Sequence, residues 1–122
     1  MHPLLQVAAG GAIGASLRYL VVLQAGRALG AGFPYGTALV NISGSFLMGI
    51  LAVVLLGRGQ VSPFLLTGVL GGFTTFSAFS LDAVALIERG QVTSAIVYVV
   101  VSVLGSIAAL FVGLILARGW LA

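Results

Sequence analysis

Four apolar runs follow one another along the chain, at about 4 to 25, 35 to 57, 63 to 88 and 92 to 117, each bounded by Arg, Pro or Gly. Each reaches the roughly 20 residues that a helix needs to cross the hydrocarbon core of a bilayer. Polar punctuation falls between them, at Arg27 to Pro34, Arg58 to Pro63 and Glu88 to Gln91. Arg118, Gly119 and Trp120 close the last run, a cation and an aromatic suited to the membrane interface. The pattern predicts an all-α membrane protein with four transmembrane helices in a single domain over 1–122. A secretory signal peptide is a poor account of residues 1 to 25, because the start lacks a basic stretch and Arg18 interrupts the run.

Composition sharpens that reading. Of 122 residues, 61% are hydrophobic and 6% charged, against about 25% charged in a soluble domain. Four spans and their turns use almost the whole chain, which leaves no room for a separate catalytic domain. With no cysteine, disulfides, thiolate nucleophiles and Cys-type zinc sites are excluded. The single histidine, His2, lies at the N-terminus and reads as solvated. A net charge of +3, spread over single arginines, makes no nucleic-acid patch. Eighteen glycines are far above the usual share of about 7% and suit close helix packing.

The few charges leave orientation undecided. With four spans, Arg58 and Arg118 fall on one side, and Arg27 and Arg89 on the other, with Arg18 near that second side. Cation counts so even give no positive-inside bias.

Polar groups at membrane depth form a short inventory. The first run carries Arg18, whose stem can snorkel to an interface. The second has Asn41, Ser43 and Ser45; the third Thr74, Thr75, Ser77 and Ser80; the fourth Tyr98, Ser102 and Ser106. Asp82 and Glu88 fall in the last turns of the third run, so no carboxylate stands at its middle to relay protons. What remains is neutral and rich in donors, a lining that solvates an anion without trapping it. Tyr98, Ser102 and Ser106 recur every four residues and share one helix stripe, with Gly105, Ala109 and Gly113 on a neighbouring small-residue stripe. The alternative for the hydroxyls is a bond to the carbonyl one turn back. Gly10-x-x-x-Gly14 reads as a helix contact rather than a phosphate loop, since the chain has no lysine.

The sharpest local feature is Gly71-Gly72-Phe73-Thr74-Thr75-Phe76-Ser77-Ala78-Phe79. Two glycines, each costing about 1 kcal/mol of helix propensity against alanine, precede two β-branched threonines. The third helix is therefore expected to break in mid-membrane. Carbonyls freed there must face protein, water or a cation. Phe76 and Phe79, three apart, share a face, and paired aromatic edges carry partial positive charge toward an anion.

At these residues the chain resembles the small fluoride channels of the Fluc (CrcB) family. Three blocks carry the likeness: Gly10 to Tyr19, Gly36 to Asn41 with Gly44-Ser45-Phe46, and Gly71 to Phe79. The resemblance implies an antiparallel, dual-topology homodimer in the bacterial inner membrane, with two fluoride pathways and a structural sodium ion at the dimer centre. It further implies that Asn41 is the pathway amide, Phe76 and Phe79 the ring pair, and Tyr98, Ser102 and Ser106 a polar track with Ser77 and Ser80 nearby. Arg18 would stand near the vestibule. Gly71 and Thr74 would offer backbone carbonyls to the sodium. Ala78 stands where many members carry a small polar residue, so no hydroxyl is expected there. Passive fluoride efflux is the implied function. A small multidrug-type exporter has the same size, but it needs a membrane-embedded Glu in its first helix, and residues 4 to 25 hold no acid. A purely structural membrane subunit would have no use for the Asn41, Tyr98, Ser102 and Ser106 inventory.

Overall fold

Backbone in hydrocarbon must satisfy itself, which favours helix throughout, and in the computed structural model every long apolar run is helical. The structure describes residues 1–55, 58–59 and 62–121. Helix α1 covers Pro3–Leu29, α2 Tyr35–Val54 and α5 Val92–Leu121. The third crossing is two helices. In α3, wide five-residue turns over Pro63–Leu70 tighten into a single α turn at Gly71–Phe73; α4 then runs over Ser77–Glu88. The expected break thus falls at Thr74, Thr75 and Phe76. Among the described residues four helices, counting Pro63–Glu88 as one crossing, are long and apolar enough to span a bilayer. The protein is a multi-pass membrane protein.

Helix ends differ from the sequence expectation where a breaker acts later than the first polar residue. The first span continues past residue 25 to Leu29, because nothing stops it before Gly30, whose φ of 86° turns the chain and whose N–H closes on the Gly26 carbonyl at 3.0 Å. The fourth runs beyond 117 to Leu121, carrying Arg118 and an exposed Trp120 with it. At 30 residues it is about 45 Å long, well over the hydrocarbon thickness of about 30 Å. The second is described to Val54, and the 56–57 end of the expected span lies outside the described residues. At the first end of α1, His2 Nδ1 accepts the Leu4 N–H at 3.0 Å, so this histidine caps a helix.

Glycine sets how closely the helices meet. A Cβ at Gly10 would land on the Phe64 carbonyl, one at Gly14 on the Val69 carbonyl, and one at Gly68 within 2.8 Å of the Gly10 Cα. So α1 and α3 touch backbone to backbone, as Gly10-x-x-x-Gly14 suggests. Across the bundle, Gly49 faces the Leu110 carbonyl and Gly113 the Phe46 carbonyl, which seats α2 on α5. The buried interior is small: Val40, Leu86 and Tyr98 are fully buried, with Ala38, Phe79 and Ala95 around them. Large apolar side chains such as Leu20, Ile96, Leu104 and Phe111 point outward, as lipid-facing positions do.

The contrast between glycines gives a test. Gly14→Ala must push a Cβ into backbone that cannot yield, whereas Gly26, also helical, has nothing within 4 Å. Gly14→Ala should lower stability by roughly 1–3 kcal/mol. Gly26→Ala should leave it unchanged or raise it by up to about 1 kcal/mol. Thermal melting of the two purified variants checks this; equal midpoints would contradict the close α1–α3 contact.

Candidate functional site

The break is held by side chains from two other helices. Thr74 directs both its N–H and its hydroxyl to the Leu70 carbonyl, at 3.0 and 2.9 Å. The next N–H leaves the helix: Thr75 donates to Asn41 Oδ1 at 2.7 Å, while Asn41 Nδ2 donates to the Thr75 carbonyl at 2.9 Å. The Asn41 amide thereby pairs with Thr75 as a neighbouring peptide would. The Thr75 hydroxyl accepts the Ala78 N–H at 3.1 Å and caps α4. From α1, Arg18 Nε donates to the Gly72 carbonyl at 3.1 Å. In an unbroken helix the Gly71 carbonyl would take the Thr75 N–H and the Thr74 carbonyl the Ala78 N–H. Both donors are engaged elsewhere.

Beside the break lies a cavity of about 460 Å³. Helix α2 lines it with Asn41 and Ser45, the break with Gly71 and Thr74 to Phe76, α4 with Phe79, and α5 with Ser102 and Ser106. Pairs four residues apart on α2 and on α5 bring their hydroxyls and amide to one face. Ser102 is 4% exposed, and its hydroxyl has no hydrogen-bond partner among the described residues. Such an orphan costs about 1–3 kcal/mol. The rings of Phe76 and Phe79 stand 5.3 Å apart, tilted by 52°. Phe79 is buried, but Phe76 is 76% exposed, so the cavity opens on a bare aromatic at the surface of the chain.

The aromatic line continues inward. Phe79 lies 5.2 Å from the Tyr98 ring, and Tyr98 meets Phe33 edge-on at 5.6 Å. Tyr98 is fully buried, and its hydroxyl donates to Asp82 Oδ2 at 3.1 Å. Among the described residues no group of three His, Cys, Asp or Glu could hold a metal ion. The side chains that line the cavity are all neutral.

Comparison with known proteins bears on what such a cavity is for. The family model described as "CrcB-like protein, Camphor Resistance (CrcB)" matches residues 5–114. The chain belongs to the CrcB family. Curated relatives align almost end to end. One from Cereibacter sphaeroides (strain ATCC 17029) named "Fluoride-specific ion channel FluC" is 59% identical over 120 residues, covering 98% of this chain and 97% of the relative. Proteins of the same name from Chelativorans sp. and Rhizobium meliloti are 57% and 53% identical over 122 residues, covering 97% of this chain and 98% of each relative. CrcB proteins are thus named as ion channels, not as enzymes.

Within this CrcB chain, the residues singled out from sequence divide into three groups. Asn41, Phe76, Phe79, Ser102 and Ser106 come together at the cavity, as do Gly71 and Thr74. Ser77 and Ser80 do not line it but bond to residues that do: Ser77 Oγ is 3.3 Å from Thr75 Oγ1, and Ser80 donates to the Phe76 carbonyl one turn back at 2.9 Å. Arg18 and Tyr98 do not line it; one holds the Gly72 carbonyl and the other Asp82. Asp82 lies where the sequence places it, in the last turns of the third run, six residues before the Glu88 end of α4; what position along the run does not show is that it shares a face with Phe79, three residues before it. Thr75, whose hydroxyl and backbone help close the break, reads from the sequence only as a polar group; a threonine three residues ahead of the Ala78 N–H is the signal of a cap.

Asn41→Ala would strip partners from the Thr75 N–H and carbonyl together. Each unsatisfied backbone group costs about 1–3 kcal/mol, so a loss of several kcal/mol is expected. The measurement is thermal melting of the purified variant beside Ser43→Ala, whose hydroxyl bonds only to Leu39 on its own helix. Asn41→Ala melting no lower than Ser43→Ala would contradict the clamp.

Proposed function

We propose that this chain is a passive, fluoride-selective ion channel that lets fluoride leave the cell down its gradient and so limits fluoride toxicity. The observation that carries the reading is the orphaned Ser102 hydroxyl at a neutral cavity edged by the Phe76 and Phe79 rings. Fluoride is small and strongly hydrated, and it gives up water only to dense hydrogen-bond donation. A fixed positive charge would hold it too long for conduction. Ser102, Ser106 and the second Nδ2 proton of Asn41 supply donors, and the ring edges supply partial positive charge. Ser77 and Ser80 shape the mouth. The Tyr98 proton is committed to Asp82, so Tyr98 offers its ring to the pathway. The names of the curated relatives support fluoride as the ion.

Assembly follows from the same open cavity. We propose that two copies pair antiparallel as a dual-topology homodimer in the bacterial inner membrane, giving two pathways. The bare Phe76 and the even arginine counts support it. A sodium ion at the dimer centre fits the donor set, since the Gly71 and Thr74 carbonyls are hard neutral oxygens whose helical N–H partners are engaged elsewhere. Its role when bound is structural: it neutralises carbonyl dipoles that hydrocarbon cannot.

Two experiments test the reading. Liposomes carrying the purified protein should release fluoride without a proton gradient and chloride only poorly. Ser102→Ala should slow fluoride release at least several-fold, yet melt no lower than the unaltered chain, since it removes an orphan worth about 1–3 kcal/mol. Equal chloride release, or strict proton coupling, would refute the function. For assembly, terminal tags probed from each side of the membrane should each label about half the chains, the even split that a charge balance without bias allows. Labelling from one side only would refute antiparallel pairing.

A further inference from the structure

Each carbonyl in an α-helix meets the N–H four residues on. For Gly72 that donor would be Phe76, inside the break, and the carbonyl takes Arg18 Nε at 3.1 Å instead. The arginine reaches it through packing. Gly11, Ala15 and Arg18 form one stripe of α1. That stripe lies directly on Gly72, where a Cβ would come within 2.8 Å of the Gly11 carbonyl and 3.2 Å of the Ala15 nitrogen. The bonding nitrogen is also the one nearest the stem, so backbone contact, more than a flexible reach, delivers the donor. On the far side of the break Asn41 holds the Thr75 carbonyl at 2.9 Å. The carbonyls at Gly72 and Thr75 are thus occupied, whereas Gly71 and Thr74, which line the cavity, have lost their helical N–H donors to Asn41 and to the Thr75 hydroxyl.

We infer that Arg18 is a positioning residue for the cation site: by occupying the Gly72 carbonyl it fixes the peptide planes on either side and leaves Gly71 and Thr74 as the oxygens presented to sodium. The inference rests on the cation reading above and gives the arginine a role as an N–H donor, separate from that of a charge in the vestibule. A charge acts at a distance and needs only its sign. A positioning donor needs its N–H at the right number of bonds from Cα, whatever its charge.

Glutamine places an uncharged N–H as many bonds from Cα as the arginine Nε, and methionine matches the length with neither donor nor charge. The purified protein, R18Q and R18M are melted without fluoride across a sodium series, with a large organic cation holding ionic strength constant. The sodium concentration at half-maximal stabilisation should stay within about twofold for R18Q and rise about tenfold for R18M, the scale of one hydrogen bond. Fluoride release from liposomes should follow: R18M recovers toward the unaltered rate as sodium is raised, and R18Q needs no such rescue. Equal shifts in both variants would make the charge the operative feature and overturn the inference. Identical sodium midpoints in all three chains would overturn it as well. If R18M fails to assemble, R18Q alone decides, a retained midpoint supporting the donor role and a tenfold shift overturning it. A melting profile of the unaltered chain that ignores sodium overturns the cation reading itself, and so separates that failure from a failure of Arg18.

Discussion

An interrupted helix in hydrocarbon exposes peptide groups that no solvent will satisfy, and the organisation of this protein answers that demand. Between Leu70 and Ala78 the regular pairing lapses, and several of the freed groups are met individually, while the Gly71 and Thr74 carbonyls are not. Thr75 turns its N–H to Asn41, Ala78 takes the Thr75 hydroxyl, and Gly72 takes Arg18. Leaving any of these bare would cost about 1–3 kcal/mol, a large share of the 5–15 kcal/mol that holds a typical domain folded. The break exists because α1 and α2 both converge on it.

Convergence of that kind requires helices closer than ordinary side chains permit, which gives the glycines their meaning. Gly44 stands three residues after Asn41, and a Cβ there would collide with the Thr74 methyl. Without that gap α2 could not approach near enough for the Asn41 amide to pair with Thr75. Gly11 performs the same service on α1, where its backbone lies against Gly72 and sets Arg18 two turns on. The wide turns of Pro63–Leu70 belong to this arrangement: Gly71 donates back to Leu66, and one helix is eased against another so that backbone meets backbone.

Much of this was legible in the sequence because it depends on local rules. Glycine pairs beside β-branched threonines weaken a helix wherever they stand, and the break lies where Gly71-Gly72 and Thr74-Thr75 place it. Spacing alone set Ser102 and Ser106 on one stripe, and both line the cavity. Side-chain partners were less legible, since they depend on how each helix is turned about its axis. Asn41 reads as a donor to an ion until α2 is set against the break, when its amide proves largely committed to Thr75. Tyr98 shares the serine stripe, yet its hydroxyl goes to Asp82, a carboxylate on another helix. Helix ends are less legible, because a polar residue at a membrane interface reads as a stop without acting as one. Arg27 and Arg118 stay helical because arginine is a good helix former, and only Gly30, with its positive φ, ends α1.

The contrast between Thr74 and Ser102 carries the last step. Both are hydroxyls at membrane depth, and a hydroxyl there ordinarily bonds to the carbonyl a turn back. Thr74 does so at 2.9 Å, and Ser80 and Ser43 follow the same habit at 2.9 and 2.6 Å. Ser102 does not, although it is more deeply buried and has its own helix at hand. A fold that satisfies so many awkward groups around its break, and leaves this one unpaired beside a cavity, has kept a donor in reserve. In a neutral lining such a donor suits a ligand that carries its own negative charge and arrives without its water.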